Sequence, residues 1–273
     1  MNVKHCLLAA AALLCTAAQA EGLSGSVTLA SDRVERGVSQ SSGQASLAGD
    51  LGWSHRLGAY VGLGLATVDS DQYGGAKLEW SPRLGWQAHF ADSLWNLGFS
   101  GHLFPGALGQ HSGQLPPRAA GAVNSQLQTT DFATAELNLS LGWKGLTLKA
   151  DRSLTDYYGI GEESTQTGPL GQRITSKVAG SAGSWHVGLS YKHDFDDRLS
   201  AWAGVGRQIV RNFDALNYTD WSLGGSARGF GLNWSLEATG TNASTDYWQV
   251  RRSAGDTRDL ASQRVTASVA WEF

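Results

Sequence analysis

The sequence predicts an all-β fold, a single antiparallel, up-and-down transmembrane β-barrel of about twelve strands covering residues 21–273. Three observations lead there. Segment after segment alternates apolar and polar residues at period two, which places one set on each face of a strand. Tight turns alternate with long connections rich in Gly, Ser and Thr, the segregation a bacterial outer-membrane barrel shows between its periplasmic and extracellular rims. Aromatic residues gather beside the tight turns, where amphipathic rings favour a membrane interface.

Residues 1–20 stand apart from the barrel. Lys4 and His5 precede a run of mostly Ala and Leu over 6–16, and Ala18-Gln19-Ala20 has the small-x-small pattern of a cleavage site. This reads as a secretory signal peptide with Glu21 as the first mature residue. A spanning helix would need about 20 apolar residues, and the run is too short. Leu14 is too bulky for a lipid-attachment site at Cys15. The two cysteines, Cys6 and Cys15, leave with the leader, so neither a disulfide nor a thiolate metal site is expected. The chain has 35 Gly and 11 Trp, and 16% of its residues are charged, a composition that suits an exported β protein. With 21 basic against 24 acidic residues it has no electrostatic footing for nucleic acid.

The strands follow in order. A weaker segment near 23–31 opens the wall; Leu47, Gly49, Leu51 and Trp53 then alternate with Ser46, Ala48, Asp50 and Gly52. After a weaker segment at 59–68, Leu78, Trp80, Leu84, Trp86, Ala88 and Phe90 alternate with Glu79, Ser81, Arg83, Gln87 and His89. Trp95, Leu97, Phe99 and Leu103 oppose Asn96, Ser100 and His102. Ala135, Leu137, Leu139, Leu141 and Trp143 oppose Glu136, Asn138, Ser140 and Gly142. Leu146, Leu148 and Ala150 oppose Thr147, Lys149 and Asp151, and Trp185, Val187, Leu189 and Tyr191 oppose His186, Ser190 and Lys192. Segments at 199–209 and 218–227 are weaker. Phe230, Leu232, Trp234 and Leu236 then oppose Asn233, Ser235 and Glu237, and Val265, Ala267, Val269, Trp271 and Phe273 oppose Arg264, Thr266, Ser268, Ala270 and Glu272.

Tight turns are expected at 55–58, 91–93, Lys144-Gly145, 195–198 and Arg228-Gly229; the longest connections are 105–130, 157–184 and 242–262. Trp53, Trp86, Phe90, Trp95, Trp143, Phe195, Phe230 and Trp271 would form the girdle at the tight-turn rim. An outer apolar face implies outer-membrane lipid and lipopolysaccharide as surroundings. A terminal Phe273 resembles the signal read by the barrel-assembly machinery, which makes that machinery an expected partner.

Ser31-Asp32-Arg33-Val34-Glu35-Arg36-Gly37-Val38-Ser39-Gln40, followed by Gly58-Ala59-Tyr60-Val61-Gly62, resembles the opening of the TorF-like family of outer-membrane porins. Asp259, Gln263-Arg264-Val265 and Phe273 extend the resemblance to the other end. Arg33 and Glu35 stand where that family carries aromatics, and Leu63-Gly64 replaces its Trp. The resemblance implies a porin. Read physically, Arg36, Gly37, Val38, Ser39 and Gln40 sit in the first long connection, where Gly37 can take a positive φ and Arg36 can pair with an acid in the wall. A plain turn closing the first hairpin is the simpler alternative.

The lumen-facing candidates are Asp50, Glu79, Arg83, His102, Glu136, Lys149, Asp151, Lys192, Arg228, Glu237, Arg264 and Glu272, a nearly balanced set with no ring of one sign. Glu79, Arg83 and His102 fall on adjoining strands, with Ser81 and Ser100 nearby, but nothing in the sequence pairs a nucleophile with the histidine. His193-Asp194-Phe195-Asp196-Asp197 falls in a turn, where acids solvate the bend. No phosphate loop, zinc-protease, nucleophile-elbow or EF-hand spacing is present. No cofactor or metal is expected. The function expected is a passive channel for small solutes, narrow, weakly selective and constricted by the 105–130 segment. A barrel-embedded hydrolase and a structural or adhesive barrel with a plugged lumen are the alternatives.

Overall fold

The computed structural model describes residues 22–107, 126–127, 132–160, 163–167, 173–177, 180–245, 247–251 and 255–273. Residues 1–20, expected to be a leader, and most of the 105–130 segment lie outside these residues.

Twelve strands make the wall: β1 Leu23–Ala30, β2 Ser46–Ser54, β3 Ala59–Thr67, β4 Leu78–Phe90, β5 Ser93–His102, β6 Thr134–Trp143, β7 Leu146–Ser153, β8 Trp185–Asp194, β9 Leu199–Ile209, β10 Tyr218–Gly229, β11 Leu232–Thr241 and β12 Arg264–Glu272. Each pairs antiparallel with its sequence neighbours, and β12 pairs back onto β1. At that seam Ser26 stands opposite Glu272 and Ala30 opposite Ser268. Gly25 and Phe273 exchange both backbone bonds, at 2.9 and 3.0 Å. The closed sheet has no unpaired edge.

Five tight turns share one rim with the start of β1 and the end of β12, and six longer connections share the other. Lys144-Gly145 and Phe230-Gly231 have φ of 47° and 88°, and of 57° and 74°. Such two-residue turns match the twist of the strands they join. The last turn thus falls two residues beyond the Arg228-Gly229 expected from sequence. Arg228 continues the inward row of β10 and reaches Glu272 at 3.5 Å, and Phe230 is a fully exposed turn residue that does not extend the outward row of β11.

The wall is inside out relative to a protein folded in water. Leu51, Leu84, Leu97, Leu139, Leu148, Leu223 and Leu236 are exposed outside, while Glu79, His102, Glu136, Asp151 and His186 are buried within. This exposes apolar area and buries charge, both costly in water. With hydrocarbon outside, the same arrangement is favourable. Trp53, Trp86, Phe90, Trp95, Trp143, Phe195 and Trp271 are exposed near the tight-turn rim, and Trp86 Nε1 donates to Leu57 O at 2.8 Å.

The apolar core belongs to the long connections. Tyr157, Ile160, Val210, Phe213 and Leu216 form one cluster, Val68, Tyr73, Ala76, Phe104 and Phe132 a second, and Val38, Tyr218, Val250 and Leu260 a third. These connections also carry short strand pairings of their own, 163–167 with 173–177 and with 126–127, and 249–251 with 257–259.

Candidate functional site

The first connection turns into the bore. Val34–Glu35 and Val38–Ser39 pair as a small antiparallel hairpin. Arg36 and Gly37 turn it with φ of 49° and 75°, the two-residue geometry in which glycine is favoured. Gly37 meets a second demand, because a Cβ there would lie 3.0 Å from Asp220 Cβ and 3.1 Å from Gly240 O. The hairpin tip therefore abuts β10 and β11.

Arg36 reaches another part of the wall. Its guanidinium donates to Glu136 Oε1 and Oε2 at 3.0 and 2.8 Å, and to Asp151 Oδ2 at 3.1 Å, which anchors the tip on β6 and β7. Burial works against the Arg36 charge, but the Glu136 carboxylate, with Tyr157 and Glu35 nearby, more than offsets it, and together they hold the group well above its ordinary range. Arg33 pairs with Glu79 on β4. Asp32 accepts from Arg264 at 2.6 Å, which ties the hairpin base to β12. A short hairpin is thus held from several sides of the bore by charge-assisted bonds, the strong class of hydrogen bond.

The rest of the motif completes the attachment. Val38 is packed in the third apolar cluster. Ser39 donates to Asp32 Oδ1 at 2.6 Å, and its backbone N–H donates to Leu260 O at 2.9 Å. Gln40 Nε2 donates to Val38 O at 3.0 Å, and Gln40 Oε1 accepts from Tyr73. The stretch does form a turn, but the turn belongs to an inner hairpin and not to the wall.

Around Arg33 and Arg36 lies a buried polar cluster. His102 Nδ1 is 2.6 Å from Glu79 Oε1, and its Nε2 is 3.7 Å from Glu136 Oε2. Ser81 Oγ donates to Glu79 at 2.9 Å. The imidazole is held between carboxylates, and among the described residues no serine oxygen is bonded to it. This geometry fixes position; it does not activate a nucleophile. Glu35, Glu79 and His102 each bring a possible ligand atom within 4.8 Å of the others. Arg33 stands on Glu79 and 3.9 Å from Glu35, so an arginine supplies the positive charge a metal ion would bring.

Arg83, grouped with Glu79 and His102 in the sequence, lies apart from them and donates to Asp50 Oδ1 at 2.6 Å. Gly62 makes room for it, since a Cβ there would come within 2.7 Å of its guanidinium carbon. Lys149 is 3.1 Å from Asp151, Lys192 is 2.8 Å from Asp194, and Glu237 accepts from Trp202 Nε1 at 2.7 Å. Arg228 and Glu272 pair near the tight-turn rim. In the 193–197 stretch, Asp196 accepts from the backbone N–H groups of Arg198 and Leu199, both at 2.7 Å. Those bonds hold its carboxyl below the usual range, as befits a turn cap.

Alternation pointed to none of Asp32, Arg33 or Glu35, nor to Tyr158, whose hydroxyl donates to Glu35 at 3.5 Å, nor to the inward Trp202. One signal was available. Arg33, Glu35 and Arg36 crowd charge into a connection of a sparsely charged chain, while Glu79, Glu136 and Asp151 face inward near that rim, and buried carboxylates need partners.

A family model described as "Bacterial protein of unknown function (Gcw_chp)" matches residues 15–273. No curated protein sequence matches the chain. Among solved structures, the KdgM porin in complex with disordered oligogalacturonate is similar at 6% identity and TM-score 0.46, with 92% of this chain and 98% of that chain covered. The NanC porin is similar at 9% identity and TM-score 0.42, over 90% and 97% of the two chains. LpxR from Salmonella typhimurium is similar at 14% identity and TM-score 0.40, over 91% and 99%. The barrel assignment itself rests on the strand pairing.

Proposed function

The chain belongs to the Gcw_chp family of bacterial proteins of unknown function, and from that premise we propose that it is an outer-membrane channel for small solutes, narrowed by its own first connection. The observation that carries this reading is the hairpin bearing Arg36, held across a polar bore on Glu136 and Asp151. A polar interior inside an apolar exterior supports placement in outer-membrane lipid, with lipopolysaccharide around the long-connection rim. The outward Phe273 beside Trp271 supports delivery by the barrel-assembly machinery. The resemblance of the 36–40 stretch to TorF-like porins points the same way.

Twelve strands enclose far less space than the 16 to 18 of large porins, and the hairpin narrows it further. The inward charges are mostly paired with one another, so no ring of one sign selects an ion. The intact protein should therefore show a small conductance with weak ion preference in planar bilayers. Replacing Arg33 to Ser39 with a Gly-Ser linker should raise that conductance several-fold. A plugged structural barrel is the second reading, favoured by the three apolar clusters at the rim. If neither protein conducts, the channel is refuted and the structural barrel stands.

A further inference from the structure

The outward rows of the twelve strands carry two permanent charges, and both are arginines. Arg152 on β7 and Arg207 on β9 are exposed and lie within two residues of their strand ends at the long-connection rim. β8 runs between them, with Trp185 opposite Arg152 and Val187 opposite Arg207. Arg211, in the connection after β9, comes up beside Arg152. A Cβ on Gly183 would lie 3.3 Å from Arg211 Nη1 and 3.7 Å from Arg152 Nη2. Elsewhere around the same rim the outward places are held by Leu29, Leu47, Leu78 and Leu103.

These arginines differ from those inside the bore. Arg33, Arg36, Arg83 and Arg264 each end on an acid. Among the described residues Arg152, Arg207 and Arg211 meet no carboxylate. The acids of the adjoining connections turn elsewhere, Asp156 accepting from the Ala182 N–H at 3.0 Å and Asp214 from Asn217 Nδ2 at 3.4 Å. Arg152 Cζ lies 5.4 Å from the Trp185 ring centre, Arg207 Nη1 donates to Thr219 Oγ1 at 3.1 Å, and Arg211 Nη1 donates to Ala182 O at 3.0 Å. Such contacts orient the guanidiniums and leave their charge uncompensated. Two of them beside one glycine repel each other unless an anion joins them.

We infer that the three arginines bind a lipid bearing two separated phosphates, the chemistry of the lipid A portion of lipopolysaccharide. Below them the same outward rows continue as Leu148, Val187, Leu189 and Val205, all exposed. The occupant must therefore be anionic at the rim and apolar beneath it, which a free phosphate is not. The fork of an arginine matches phosphate oxygens. Two strand spacings put Arg152 and Arg207 about 10 Å apart along the rim. One phosphate suits the Arg152 and Arg211 pair, and a second, set apart on a wide headgroup, suits Arg207. The inference rests on the outer-membrane placement proposed above and is independent of conduction.

The test is native mass spectrometry of the full-length protein in detergent, titrated with diphosphoryl lipid A. One copy should bind saturably. Lipid A stripped of both phosphates, and cardiolipin, whose two phosphates sit close together, should bind roughly tenfold more weakly. Excess inorganic phosphate should not displace the lipid. Arg152→Gln, Arg207→Gln and Arg211→Gln combined should weaken binding by about tenfold or more. Arg56→Gln with Arg198→Gln, at exposed arginines of the tight turns, should leave it unchanged. If the triple variant lacks the fast-migrating unheated band, Arg152→Gln and Arg207→Gln singly, each expected to weaken binding several-fold, carry the comparison. Unchanged binding in a folded variant, an equal loss in the tight-turn variant, equal affinity for either comparison lipid, or displacement by inorganic phosphate would each overturn the inference. A protein that conducts yet binds no lipid A would keep the channel and overturn the site; saturable binding without conduction would do the reverse. Fractionation of the native protein away from the outer membrane would overturn the placement and this occupant with it.

Discussion

Arg36 shows how one side chain can decide the state of a barrel. Its planar fork engages both oxygens of Glu136 and one of Asp151, a geometry lysine cannot reproduce. Glu136 and Asp151 are almost wholly buried, and removing one partner of such a group costs about 3–5 kcal/mol because the other charge is left stranded. Arg36→Ala should therefore loosen the hairpin. The expected result is faster protease cleavage near residue 33 in purified protein and noisier, larger single-channel currents. Arg36→Lys should fall between, and Arg36→Ala combined with Glu136→Gln and Asp151→Asn should recover much of the protection. Equal cleavage rates in all four proteins would show that the pairing does not hold the hairpin. The inward direction of Glu136 and Asp151 was legible from alternation, and so was a pairing of Arg36 with an acid in the wall; which acids it would reach was not, because a connection has no periodicity to show which way a side chain points.

At the scale of elements, facing is the property that alternation encodes and that energetics can check. Leu139 is exposed on the outer face of β6 and Ser140 faces inward. Arg at position 139 should cost roughly 2–4 kcal/mol if that residue lies near mid-membrane, and Arg at 140 should be mild. Reversible unfolding in lipid gives both numbers, and equal losses would contradict the facing. Twelve strands were legible, eight from a local alternation rule and four, near 23–31, 59–68, 199–209 and 218–227, as weaker segments placed by the spacing of their neighbours. The final turn was misplaced by two residues because Gly229 reads as a turn glycine, yet Phe230 and Gly231 take the positive φ angles. The inner hairpin was hidden for a different reason. Its path depends on contacts with Glu79, Glu136, Asp220, Gly240 and Arg264, residues far apart in the chain, and no local pattern records such an agreement.

For the whole molecule, the wall and its filling obey different constraints. The wall is set by pairing between neighbours; the filling is set by six connections that must meet over the bore. Phe273 lies at the junction of folding and delivery. Its backbone closes the seam with Gly25, and its ring lies over that glycine, where a Cβ would come within 2.5 Å of it. Replacing Phe273 with a charged residue should lower the amount of folded protein in the outer membrane, measured by the fast-migrating unheated band. A normal level would remove the residue from any part in assembly. The seam also permits a stronger experiment. Because β1 and β12 pair as every other neighbouring pair does, the folded ring has no intrinsic beginning, and the chain's starting point is a matter of order in time. A circular permutant with Phe273 joined to Gly22 by a short linker and new ends opened between Lys144 and Gly145 keeps every wall pairing. It should refold in detergent as the parent does, yet be delivered poorly in cells, because its final strand no longer ends on the same aromatic. Such a protein would separate what the ring needs in order to stand from what the cell needs in order to build it.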